Sequence, residues 1–90
     1  AIQLPQAETA VSREDDAAVV VVLDSNGRTR LDGKIIEAQT LEEALRRALQ
    51  SRSKKWVTLR GDRASDLGNA VTILDAARKA GAETVDVVTE

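Results

Sequence analysis

Apolar positions change their spacing along the chain, and each change marks a predicted element. Residues 18–23 are a continuous apolar run rich in β-branched side chains, the signature of a strand covered on at least one face. Asp24-Ser25-Asn26-Gly27 follows, and an Asn-Gly pair after such a run predicts a hairpin turn. Residues 28–31 are the largely polar return strand. Asp32-Gly33 is a second tight turn into a short strand over 34–37.

A helical period then takes over. Leu41, Ala44, Leu45, Ala48 and Leu49 share one face of a helix over 40–51. Thr40 and Glu43 have the spacing of a capping box at its start. Glu42 with Arg46 and Glu43 with Arg47 are i, i+4 pairs in the favourable order, worth about 0.2–0.5 kcal/mol each.

The last third reads as strand, turn, helix, glycine stop and strand. In the strand over 56–60, Val57 and Leu59 face one way while Trp56, Thr58 and Arg60 face the other. Ser65 or Asp66 caps a helix over 65–80, with Leu67, Ala70, Val71, Ile73, Leu74 and Ala77 as its buried stripe. Gly81 suits the left-handed position after that helix, and residues 84–88 form the final strand. Two right-handed crossovers place both helices on one side of the sheet. The expected fold class is therefore α/β (α+β), a two-layer sandwich of two helices packed on one face of a mixed sheet of about five strands. Residues 1–16, with one proline and the acids Glu8, Glu14, Asp15 and Asp16, read as a flexible arm, and 17–90 as the domain. Within the arm, Ile2-Gln3-Leu4-Pro5 is apolar enough to dock as a short extended piece.

Composition narrows the functions open to this fold. The 90 residues are 42% hydrophobic yet contain one Trp and no Phe, Tyr or Met, so Val, Leu, Ile and Ala build the core. Single-strand nucleic-acid readers need stacking surfaces, and Trp56 alone cannot supply them. A formal charge of −2 provides no global attraction to nucleic acid. With no Cys and no His, metal centres, haem and Cys or Ser–His nucleophiles are not expected, and no cofactor is expected. The sequence has no signal peptide and no membrane-length apolar run, and its first residue, Ala1, suggests a trimmed piece of a longer protein.

Individual constellations are weak. Asp24-Ser25-Asn26-Gly27 starts like a calcium loop but has Thr29 and Ile35 where glycine and an acid are needed, so the turn reading stands. The stretch 61–68 before the second helix lacks the Gly-Lys-Ser/Thr end of a phosphate loop. Asp62 and Asp66 read as charges at a helix start rather than an acid–base pair, and no enzyme activity is expected. Residues 46–63 hold seven bases against one acid, with Arg52, Lys54 and Lys55 as candidate contacts for an acidic polymer.

The order of these pieces resembles the periplasmic domain of the ExbD/TolR biopolymer-transport family. Val57-Thr58-Leu59-Arg60-Gly61-Asp62-Arg63 matches the family's hydrophobic strand and its basic, acidic turn. The run Val71-Thr72-Ile73-Leu74-Asp75-Ala76-Ala77-Arg78-Lys79-Ala80-Gly81-Ala82 and then Val85-Asp86-Val87-Val88-Thr89 match its helix, Ala-Gly stop and valine-rich last strand. Leu4-Pro5-Gln6-Ala7 resembles the Leu-Pro-x-Ala that follows the family's membrane helix.

The resemblance implies a module of a proton-motive-force-driven inner-membrane motor, periplasmic and not enzymatic. It implies a homodimer, an ExbB/TolQ-like membrane subunit met through a membrane helix outside this sequence, and a TonB/TolA-like energy transducer as partner. The alternative it implies is a peptidoglycan anchor using Arg52, Lys54 and Lys55. Self- or partner-binding is expected of Leu4, Pro5 and Ala7 in the arm and of Val85, Val87 and Val88 in the last strand, where an exposed edge would accept an extended peptide. The family's proton-pathway Asp has no counterpart in this sequence.

Overall fold

The valine run 18–23 forms the middle of the sheet. The computed structural model describes residues 17–89, so the arm 1–16 with Leu4, Pro5 and Ala7 lies outside the described residues. The elements are β1 (Val19–Leu23), β2 (Thr29–Leu31), β3 (Lys34–Ile36), α1 (Ala38–Gln50), β4 (Trp56–Gly61), α2 (Leu67–Lys79) and β5 (Thr84–Thr89). Strand order is β3-β2-β1-β4-β5, with β1–β2 and β2–β3 antiparallel and β1–β4 and β4–β5 parallel. The two-layer α/β sandwich expected from the sequence is the observed fold.

Register assigns every strand residue to a face, because paired residues point the same way. Val19, Val57 and Val85 align across the parallel strands, as do Val21, Leu59 and Val87. Val19, Val21, Leu23, Val57 and Leu59 are all buried beneath the helices, where Leu41, Leu45 and Leu49 of α1 and Ile73 and Ala77 of α2 meet them. On the opposite face a row Ile35, Arg30, Val22, Arg60, Val88 crosses all five strands. Trp56 lies on that same open face, and the Lys54 ammonium sits 4.7 Å from its ring centroid, a cation–π contact.

Both hairpins form, with different turns. Asp32 and Gly33 both have positive φ (54° and 83°), the two-residue turn whose twist matches that of the flanking strands. In the first hairpin only Gly27 is left-handed (φ 83°), and the Gly27 amide donates to the Asp24 carbonyl while the Asp24 amide donates to the Arg28 carbonyl. The loop is therefore a longer turn closed by a glycine bulge. The Asp24 carboxylate organises it, accepting from the Asn26 and Arg28 amides at 2.9 Å each. The Arg28 amide is the main cause holding that carboxyl below its ordinary pKa.

The helix starts depart from the sequence expectation. α1 begins at Ala38, with Glu37 as N-cap and no side-chain cap bond. One residue separates it from β3, so the chain turns straight from strand to helix and Thr40 falls in the first turn. Its hydroxyl donates to the Glu37 carbonyl at 3.1 Å, and the expected Thr40–Glu43 capping box does not form. Glu43 instead pairs with Arg46 at 2.8 Å and Arg47 at 3.7 Å. α2 begins at Leu67, and Asp66 is its cap, accepting from the Gly68 amide at 2.7 Å. Ser65 plays a different part. Its hydroxyl is within reach of the Leu23 and Asp24 carbonyls at 3.2 and 3.3 Å, tying this loop to the end of β1.

These caps predict opposite outcomes for two substitutions measured by urea denaturation. Asp66→Ala should cost about 1 kcal/mol by removing the side-chain acceptor that caps the α2 start. Thr40→Ala should be neutral or slightly stabilising, because alanine is the better helix former in a first turn that Thr40 does not cap.

Candidate partner-binding edge

The α2 stripe read from sequence is wider than the core can cover. Ile73 and Ala77 are buried and Ala70 and Leu74 are partly covered, but Leu67 and Val71 are 78% and 57% exposed. That corrects their expected burial, and the cause is geometric. Ile73 points at the sheet, while Asn69 and Thr72 line the cleft shared with α1. Leu67 lies on the other flank, where it lines a cleft with Val87 of β5, and Val71, two residues before Ile73, points away from the sheet.

That flank borders a free edge. β5 pairs only with β4, so its outer side carries unpaired main-chain groups among the described residues. Val85 is half-buried under α2, while Val87, on the same face, is 58% exposed. Asp86 and Val88 point to the open face, beside Thr58 and Arg60 of β4. At the carboxyl ends of the parallel strands a cleft of about 220 Å³ is lined by Leu23, Leu59, Leu67, Ala70 and Val87, with Asp62, Arg63 and Asp66 at its mouth. The structure thus places Val85, Val87 and Val88 together on an edge strand, and adds Leu67 as an apolar neighbour of Val87.

The basic run is built into the fold. The Lys55 ammonium donates to the Leu49 and Arg52 carbonyls at 2.6 and 2.7 Å, closing the C-terminal end of α1. Arg52 donates to the Ala17 carbonyl at 2.7 Å, fixing the chain where it enters β1. Arg46 bonds Glu42 and Glu43 at 2.8 Å each and reaches the Lys79 carbonyl at 3.2 Å, joining α1 to the end of α2. Its bond to Glu42 is the main cause that raises its pKa. Lys54 lies over Trp56 rather than with Arg52 and Lys55.

Asp62 and Asp66 serve the backbone as well. The Asp62 carboxylate accepts from the Ala64 amide at 2.8 Å, as Asp66 does from Gly68, and both residues are exposed. Neither is placed in an enclosed pocket. What the site can do chemically is present main-chain donors and acceptors beside an apolar wall.

The family model for the biopolymer transport protein ExbD/TolR matches residues 1–90, the whole chain. The chain belongs to the ExbD/TolR family. A search among curated proteins finds no match. ExbD/TolR proteins are subunits of biopolymer-transport motors rather than enzymes, anchored in the inner membrane with a periplasmic domain. No helix among the described residues of this member is long and apolar enough to cross a membrane.

Two results would follow from this division between structural and exposed residues. Lys55→Ala should lower stability by about 1–3 kcal/mol, a lost charge-assisted bond at a helix end, whereas Lys54→Ala should change it by less than about 1 kcal/mol. In the same denaturation series Leu67→Ser and Val71→Ser should stay within about 0.5 kcal/mol of the parent, while Ile73→Ala should cost about 2–5 kcal/mol.

Proposed function

We propose that this chain is the partner-binding and dimerising module of a proton-motive-force-driven motor, and that it couples to a TonB/TolA-like energy transducer by accepting an extended segment at β5. The observation that carries the reading is the pairing of an open strand edge with exposed Leu67 and Val87, which line one cleft. A bare edge supplies main-chain hydrogen bonds to any strand, and an apolar wall beside it supplies the surface that a particular strand buries. Leu67 and Val71 are large aliphatic residues left on a helix whose own core needs are met by Ile73 and Ala77. Placement in an ExbD/TolR motor subunit supports a protein partner over a small-molecule one.

On this reading the arm segment Leu4-Pro5-Gln6-Ala7 competes for the same edge in a partner protomer and acts as a switch. The residues that bind are then Val85, Val87 and Val88 on the edge and Leu4, Pro5 and Ala7 on the competing arm.

Titration of the ¹⁵N-labelled chain with extended TonB-like and TolA-like peptides tests it. Amide shifts should concentrate at Val85, Val87 and Val88, with smaller changes at Leu67. Unmoved resonances there with every such peptide would overturn the reading. Deletion of residues 1–10 should tighten peptide binding several-fold if the arm competes, and sedimentation should show an altered monomer–dimer balance.

A further inference from the structure

Asp86 stands in the middle of the edge strand, between Val85 and Val87, with its side chain on the open face. It is exposed and makes no described ion pair, and its neighbours across β4 and β1 are Thr58 and Val20. Val85 and Val87 point the other way, Val85 against the core and Val87 into the apolar cleft that Leu67 also lines. A strand laid on this edge in either direction keeps that alternation: the residue opposite Asp86 shares its face, and the flanking residues face α2.

We infer that the β5 edge selects, as its partner, a strand with a basic residue between two aliphatic ones, the cation paired with Asp86 and the aliphatic pair packed against Val87 and α2. This rests on the strand-addition reading above and adds the chemistry of the strand. Opposite charges directly across a strand pair stabilise it and like charges destabilise it. The same carboxylate works against one form of self-pairing, β5 against β5. A second copy of β5 in the twofold antiparallel register centred here would set Asp86 against its own counterpart. Setting that pair of like charges side by side at the centre of an edge contact opposes edge-to-edge pairing. Asp86 thus admits a heterologous strand of the right charge while disfavouring that homotypic register.

The test uses the 1–90 chain and three synthetic ten-residue peptides that differ only at a central position, Val-Lys-Val, Val-Gln-Val and Val-Glu-Val, in one extended apolar context. Fluorescence anisotropy at low and at physiological salt gives the affinities, and ¹⁵N shifts give the location. The lysine peptide should bind roughly three- to tenfold tighter than the glutamate peptide at low salt, with a smaller difference at physiological salt. Asp86→Lys should reverse the order, and Asp86→Asn should level it while keeping binding at Val85 and Val87. Equal affinities for all three peptides with shifts at β5 would overturn the charge selection and leave strand addition standing. No binding by any peptide would instead remove strand addition at this edge, and the selection with it. An unchanged order in Asp86→Lys would place the charge preference on another group and overturn the assignment to Asp86.

Discussion

Two helices cover about four strands, and this domain has five. Packed helices sit about 8–10 Å apart and neighbouring strands about 4.8 Å apart, so each helix shields roughly two strands. The cover falls where the chain is most apolar, over β1 and β4, whose inward residues Val19, Val21, Leu23, Val57 and Leu59 are all buried. The shortfall falls on the edges. β5 has one half-buried residue and otherwise exposed ones, and β3 has the same character. The free edge therefore follows from how few helices the sequence encodes, and β5 needs no unusual backbone to become one.

Much of this is legible because single-sequence signals agree with one another. The change from β-branched run to helical spacing and back sets element order and type, and crossover handedness then puts both helices on one face. The turns at Asp24-Ser25-Asn26-Gly27 and Asp32-Gly33 are legible for the same reason: no other reading of those residues suits a strand. The Thr40–Glu43 box misleads because a side-chain signal four residues long competes with tertiary packing. Leu41 must reach the sheet immediately after β3, which draws the helix start back to Ala38. Leu67 and Val71 cannot be told from core residues by spacing, since an apolar stripe says which face is apolar and nothing about what covers it. Their exposure follows from the position of α1 relative to α2. The arm residues Leu4, Pro5 and Ala7 fall outside the described residues and stay with the proposed function.

The basic run shows the same limit in reverse. From sequence, seven bases between 46 and 63 look like a surface for an acidic polymer. In the structure Lys55 and Arg52 hold backbone carbonyls at the ends of α1 and β1, and Arg46 spans the two helices. A lysine beside a helix C-terminus satisfies orphan carbonyls that nothing else reaches, so a base cluster after a helix has a structural use before any binding use. Neutralising Arg52 or Lys55 would disturb the fold and the charge together.

Energetics decide what kind of contact the β5 edge can make. Net hydrogen-bond contributions of about 0.5–1.5 kcal/mol each, along six edge residues, amount to a few kcal/mol. Association costs about 4–15 kcal/mol in lost freedom before any contact counts. Main-chain pairing alone is therefore too weak to hold a partner, and side-chain burial against Leu67 and Val87 has to supply the balance. At about 25 cal/mol per Å² of apolar surface, these two aliphatic residues contribute a few kcal/mol more. The sum favours a weak, reversible complex over a permanent one. On the proposed function, a small apolar surface on a single free strand is enough grip to load a partner and little enough to let it go.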